Sequence, residues 1–275
     1  MDLIFLLTIP CQIYLFMRLI NGQNIHYSDT GGSGPAVILG HGFLMDLNMF
    51  NAQVDALSDK YRIVTWDERG FGQTEFDDKP FTYWDSANDC LELMTYLGIK
   101  KAVVGGMSQG GFLAMRAALA APERVSALIL LNTEAGVPNA EILSEFREMM
   151  YTWLTQGPSD EVLRSLAEII INEPGVNEKW ISKWRARPKE LIRHPADCLL
   201  DRDDIIPKLS EITCPAIIVH GTEDAAISAD SVETMYNGLQ NADDIVWVEG
   251  AAHAANITHA DIVNASLRSF LDRVT

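Results

Sequence analysis

From residue 36 onward, short runs of apolar residues alternate with longer stretches whose apolar positions recur every three or four residues. The runs lie at 36–39, 61–66, 102–104, 124–131, 214–221 and 245–248. Nearly unbroken apolar runs of this length suit strands covered on both faces. Between them, Leu47, Phe50, Val54 and Leu57 give 46–58 helical spacing. The segments 85–97, 109–120, 228–239 and 261–274 read the same way, and Gly98 stands where it can close the first of these. Ahead of the alternation, 19–20 and 24–28 flank Asn21-Gly22, a pair that favours the tight primed turn of a hairpin. Regular strand–helix alternation of this kind predicts an α/β fold: a mostly parallel, eight-stranded sheet with helices on both faces. In such sheets ligands bind beyond the C-terminal ends of the strands.

The alternation breaks after the sixth strand. From 132 to about 209 only helical patterns occur, at 140–156, 159–172 and 177–187. Ser159 is placed to cap the second of them and Gly175 to follow its end, while Pro188 and Pro195 interrupt what comes next. The expected organisation is therefore a core at 17–132 and 210–275 with an all-helical cap at 133–209 lying over the sheet edge. The cap is rich in large apolar groups: Phe146, Met149, Met150, Tyr151, Trp153, Trp180 and Trp184. Trp180 and Trp184, four residues apart, share one helix face, where they either pack the helix or line an acyl pocket.

Composition changes this picture little. The chain has 275 residues, 48% of them hydrophobic, and a net charge of −17. That charge repels nucleic acid and anionic membrane, so neither is expected as a partner, and the acidity reads as solubility rather than as a sign of a cationic partner. Cys11, Cys90, Cys198 and Cys214 lie far apart with no C-x-x-C pair. Buried thiols in a reducing, cytoplasmic setting are expected, without zinc cluster or disulfide framework. Residues 3–16 are almost wholly apolar, broken by Thr8, Pro10 and Gln12. The run is short for a membrane span, and Asp2 stands where a secretory signal would carry positive charge. Residues 1–16 are read as an upstream extension, with a weak anchor or signal as the second reading.

One stretch carries chemistry: Gly105-Gly106-Met107-Ser108-Gln109-Gly110-Gly111, between an apolar run and a helix-prone one. A strand that turns at once into a helix leaves Ser108 at the apex of a tight bend, where Gly106 and Gly110 keep the approach clear. The N–H of Gln109, at the start of the helix, points where an anion would sit. The third strand ends in Gly40-His41-Gly42-Phe43, which can set the N–H of Phe43 opposite that of Gln109 as the second donor of an oxyanion hole. His41 reads as a pin for this loop rather than as a base. Asp67-Glu68-Arg69-Gly70-Phe71-Gly72 reads as a structural loop held by Asp67 and Arg69, since its acids would repel phosphate and no G-K-[ST] follows.

A serine hydroxyl attacks at neutral pH only with a base in reach and an acid to orient that base. His253 follows the last strand, and Asp224 follows the one before it. His220 and His259 are weaker candidates for the base, and Glu134 for the acid. The set Ser108, Asp224, His253 occurs in this chain order on one sheet edge.

These segments together resemble the capped, esterase-like branch of the α/β-hydrolase-fold superfamily. The resemblance rests on His41-Gly42-Phe43, Asp67-Glu68-Arg69-Gly70-Phe71-Gly72, Gly106-Met107-Ser108-Gln109-Gly110, His220-Gly221-Thr222-Glu223-Asp224 and Gly250-Ala251-Ala252-His253, and spans 17–275. It implies Ser108 as nucleophile, His253 as base, Asp224 as acid, and the N–H groups of Phe43 and Gln109 as the oxyanion hole. No metal or organic cofactor is implied. Leu44, Met107, Trp153, Trp180 and Trp184 are the candidate substrate pocket. Relatives that attack alkyl carbon carry aspartate at the elbow, so Ser108 points to carbonyl chemistry on a small-molecule ester. Alternatives are a lactone (enol-lactone or N-acyl homoserine lactone), a C–C bond hydrolase, a perhydrolase, and a ligand receptor on the same scaffold.

Overall fold

The computed structural model describes residues 14–275. Residues 1–13, with Cys11 and most of the expected N-terminal extension, lie outside the described residues. The first two strands, β1 (Tyr14–Ile20) and β2 (Gln23–Asp29), form the expected hairpin, Ile20 pairing with Gln23. Both turn residues, Asn21 and Gly22, have positive φ, as a primed turn requires. β1 begins at Tyr14, three residues before the expected start of the core, because Tyr14, Leu15 and Phe16 pair with Asp29, Ser28 and Tyr27.

The remaining strands are β3 (Ala36–Gly40), β4 (Arg62–Trp66), β5 (Ala102–Met107), β6 (Val125–Leu131), β7 (Ala216–Gly221) and β8 (Val246–Val248). They form one eight-stranded sheet in the order β1-β2-β4-β3-β5-β6-β7-β8. Pairing is antiparallel from β1 to β4 and parallel from there to β8. Successive residues of a strand face opposite sides, so each continuous apolar run feeds two cores. Val37, Leu39, Ile63, Val103, Ile129 and Val219 face one layer. Ile38, Val64, Trp66, Val104, Leu128 and Ile218 face the other.

Helices α1 (Asn51–Leu57), α2 (Tyr83–Tyr96) and α3 (Gln109–Ala120) join the early strands. Thr82 and Asp85 form a reciprocal capping box that starts α2. Between β6 and β7 the chain makes α4 (Ala140–Gln156), α5 (Asp160–Ile170), α6 (Pro174–Ala186) and α7 (Arg193–Leu200) and no strand. Two local expectations are corrected in this insertion, both after α5. α5 ends with Asn172 at φ 55, a left-handed conformation that asparagine tolerates, and Gly175 lies past that end as expected. Gly175 lies inside α6, which Pro174 starts early, its fixed φ suiting a first helical position. α7 forms in spite of Pro195, which sits in the first turn, where a missing N–H breaks no helical bond. After β7 come α8 (Ala229–Gly238), the single turn α9 (Ala255–Thr258) and the closing α10 (Ala260–Val274). Among the described residues no helix is long and apolar enough to cross a membrane.

The crossing of β3, β5 and α3 is the tightest point near the elbow. A Cβ on Gly110 would stand 1.9 Å from the Gly40 carbonyl oxygen, and one on Gly106 would stand 2.2 Å from it. Since the obstacle is strand backbone, it cannot rotate away. Gly110→Ala is expected to cost roughly 2–4 kcal/mol, read as a fall in the denaturant midpoint at unchanged slope. A fully stable Gly110→Ala protein would contradict this packing.

Candidate active site

β5 delivers Ser108 to the bend before α3 with φ 52 and ψ −113, a conformation that costs a non-glycine residue energy. The surroundings hold it there. Its N–H donates to the Leu131 carbonyl at 2.9 Å, and its own carbonyl accepts from the Thr133 hydroxyl at 2.8 Å. Its Oγ makes no hydrogen bond among the described residues. Ser108 and His253 are both buried, at 8% and 6% exposure, so charge near them is weakly screened.

Asp224 and His253 meet beyond the ends of β7 and β8. His253 Nδ1 and Asp224 Oδ2 are 2.8 Å apart. The same oxygen accepts from Asn132 Nδ2 at 2.9 Å, and Oδ1 accepts from the N–H groups of Ala226 and Ile227 at 2.8 and 3.0 Å. Burial alone would push this carboxyl up. The charge on His253 and the bonds from His253, Asn132 and Ile227 outweigh burial and hold it at about 2. An ionised carboxylate only accepts, so the hydrogen of the neutral imidazole belongs on Nδ1. The lone pair is then on Nε2, which makes no hydrogen bond among the described residues.

The other candidates have different employment. Glu134 receives Arg202 Nη2 at 2.7 Å. His41 uses both ring nitrogens within its loop: Nδ1 donates to the Gly42 carbonyl at 2.8 Å, and Nε2 accepts from the Glu68 N–H at 3.0 Å. Burial pushes its pKa down. His220 is buried beside Asp224, with Nδ1 at 3.7 Å and no hydrogen bond to that nitrogen among the described residues. His259 Nδ1 meets the Thr258 hydroxyl at 2.9 Å at the entry to α10. The expected Asp67–Arg69 pairing is not made. Arg69 donates to Asp89 at 2.6 and 2.9 Å, while Asp67 takes His26 Nδ1 at 2.7 Å and the N–H groups of Leu47 and Gln73 at 2.7 and 2.9 Å. The turn between the two residues sends their side chains to different neighbours.

The two expected oxyanion donors sit at the ends of adjacent parallel strands, since Gly40 of β3 pairs with Gly106 of β5. Neither the N–H of Phe43 nor that of Gln109 is used by another described group. The Gln109 side chain is clamped, donating to Glu68 Oε1 at 3.1 Å and accepting from the Tyr83 hydroxyl at 3.2 Å. Burial pushes the Glu68 carboxyl well up.

Leu44, Met107, Trp153, Trp180 and Trp184 are all buried in one apolar cluster, with Phe43 packed against it. Leu44 has φ 65, and its carbonyl accepts from the Trp184 indole N–H at 2.8 Å. Trp184 therefore fastens the helical insertion to the loop after β3. Lys183 does the same through Asp46 at 2.5 Å, and Phe146 packs on Phe43 with ring centres 6.1 Å apart. The Trp153 indole N–H is buried with no acceptor among the described residues.

Sequence reasoning missed Asn132 and Thr133. They stand just past β6, between the two halves of the site, with Asn132 at φ 44. A polar pair at the C-terminal end of the central apolar run is the only signal that could have found them.

A family model described as the alpha/beta hydrolase fold matches residues 35–260. A serine hydrolase of Homo sapiens is 26% identical, the alignment covering 92% of this chain and 84% of that protein. A thermophilic esterase from Thermogutta terrifontis superposes with a TM-score of 0.86 at 26% identity, over 95% of this chain and 99% of the other. An enol-lactonase from Burkholderia xenovorans superposes with a TM-score of 0.83, again at 26% identity, over 93% and 99%.

Proposed function

The chain belongs to the alpha/beta-hydrolase fold family, and from that premise we propose that it is a serine hydrolase that cleaves carboxylic esters of small to medium acyl substrates through an acyl-enzyme. The observation that carries this reading is the Asp224–His253 contact at 2.8 Å, which leaves Nε2 as the basic nitrogen on the sheet edge that holds Ser108. Ser108 Oγ attacks the ester carbonyl carbon, and His253 Nε2 takes its proton. The negative oxygen is held by the N–H groups of Phe43 and Gln109, a donor pair whose loss by one member costs about 10²–10³ in turnover. Collapse expels the alcohol, which takes the proton from Nε2. Water then attacks the acyl-enzyme and gives a proton to Nε2, and collapse frees the acid while Ser108 Oγ takes that proton back from Nε2. The insertion between β6 and β7 is the proposed cap, with Leu44, Met107, Trp153, Trp180 and Trp184 as the apolar wall of the acyl pocket.

Lactone opening is the second reading, supported by similarity to an enol-lactonase at the same identity as to the esterase. The two use the same steps, except that the leaving alcohol stays tethered. A panel of short p-nitrophenyl esters, enol- and γ-lactones and N-acyl homoserine lactones tests both, by turnover and pH-monitored ring opening. Esters are expected to be hydrolysed fastest, and a strong preference for any lactone overturns that order. A receptor on this scaffold would barely turn over any of them.

A further inference from the structure

Three enclosed arginines of this protein are neutralised by carboxylates, whereas among the described residues Arg124 is held only by carbonyls and the Thr95 hydroxyl, and Arg187 only by carbonyls. Arg69 reaches Asp89 at 2.6 Å, Arg116 reaches Asp203 at 2.7 Å, and Arg202 reaches Glu134 at 2.7 Å. Arg187, just past the end of α6, has no carboxylate in ion-pair contact among the described residues. Its Nη2 donates to the carbonyls of Gly70 and Leu191, the latter at 2.9 Å. Among the described residues its Nε is buried with no acceptor, and its Nη1 makes no hydrogen bond. Carbonyl dipoles and a ring face soften a cation without cancelling its charge. Desolvation pulls its pKa down to about 10, and at neutral pH the group is still charged. A half-buried unit charge that has carbonyl partners but no counter-charge keeps part of its desolvation cost, and that cost falls when a counter-charge arrives.

The position of this cation matters as much as its isolation. The guanidinium lies 4.5 Å from the centre of the Phe71 ring. Phe71 in turn meets Phe43 edge-on at 5.5 Å and His41 at 5.2 Å. Arg187 therefore stands at the seam between the helical insertion and the sheet, one aromatic ring from the loop that carries the proposed oxyanion donor. The nearby cation of α6, Lys183, is already spent on Asp46. The net charge of −17 is spread over the whole chain and is screened beyond about 8 Å at physiological salt, so the unpaired local charge decides what this seam attracts.

We propose that Arg187 receives a carboxylate carried by the substrate, so that the preferred substrates are half-esters of dicarboxylic acids, or lactones bearing a free carboxylate. This inference rests on the serine-hydrolase reading. The apolar wall would hold the methylene chain, while Nε and Nη1 supply charge-assisted donors at its far end, a geometry that guanidinium offers and ammonium does not.

The test compares mono-p-nitrophenyl esters of glutaric, adipic and pimelic acid with the same compounds methyl-capped at the free acid. The wild-type protein is expected to favour at least one free acid by about 10-fold or more in kcat/KM, mainly through KM. Arg187→Met is expected to collapse that ratio towards one, and Arg187→Lys to keep part of it. Simple dicarboxylates are expected to inhibit hydrolysis of a neutral ester competitively in the wild-type protein, which tests the idea even where a variant fails to fold. The inference is overturned if free acids are not favoured and dicarboxylates do not inhibit. It is equally overturned if Arg187→Met lowers both series alike, since that is the mark of a residue that only fastens the insertion to Gly70. Turnover of neutral esters with no preference for acids would sink this inference alone; no turnover of any ester would sink the hydrolase reading with it.

Discussion

Ser108→Ala is expected to lower ester turnover by on the order of 10⁴–10⁶-fold and to abolish labelling by a fluorophosphonate probe. The loss should be purely chemical. Ser108 Oγ makes no hydrogen bond in the described structure, so removing it leaves no buried partner unsatisfied. The strained backbone at φ 52 is held by the Leu131 carbonyl and the Thr133 hydroxyl, neither of which touches the side chain. The denaturant midpoint of the variant should therefore match that of the parent. If Ser108→Ala kept even a few per cent of activity, the reaction would have to run through another nucleophile.

Asp224→Asn should cost about 10⁴ in turnover through a different route. The carboxylate can only accept, which keeps the His253 hydrogen on Nδ1 and the lone pair on Nε2. An amide can present its own N–H to Nδ1 and reverse that tautomer, which deprives Ser108 of its base. The amide would also face the Nδ2 donor of Asn132, at 2.9 Å from Oδ2 in the parent. Glu134→Gln provides the contrast. It weakens a buried pair with Arg202, so it should lose stability, yet its turnover should stay within a few-fold. A large loss of turnover in Glu134→Gln with little in Asp224→Asn would exchange their roles.

Asp224 also gives acid stability a definite sign. Its carboxyl ionises at about 2 in the folded protein, against an ordinary value of 3.8. A depressed carboxylate contributes stability that is complete above the ordinary value and is lost as pH falls towards the folded one. The contribution is on the order of 2 kcal/mol. Unfolding free energy should fall more steeply between about pH 4 and pH 2 in the parent than in Asp224→Asn, as followed by urea titration across that window.

The sheet was legible in the chain because most strands are nearly unbroken apolar runs, and runs of that length have few other uses in a packed α/β core. The elbow was legible because the close approach of Gly106 and Gly110 to Gly40 excludes any side chain, so glycine is required at those places. Boundaries were less legible where the deciding contact was remote or subtle. Tyr14–Phe16 joined β1 because β2 offered them partners. Asn172 ended α5 because its own side chain tolerates a positive φ. Arg69 left Asp67 for Asp89 because a turn separated them and a helix placed Asp89 within reach.

By itself, the sequence determined the residue types and their order along the sheet edge: a serine in a glycine-bounded bend, then an acid, then a histidine, each after an apolar run. Those are local properties, set by spacing and by the steric needs of a few positions. Tertiary structure alone decided which acid faces the histidine, which nitrogen of that histidine is left basic, and that the arginine beside Phe71 goes without a counter-charge. These depend on distances between segments remote in the chain, where a shift of an ångström or two separates a hydrogen bond from an unpaired group.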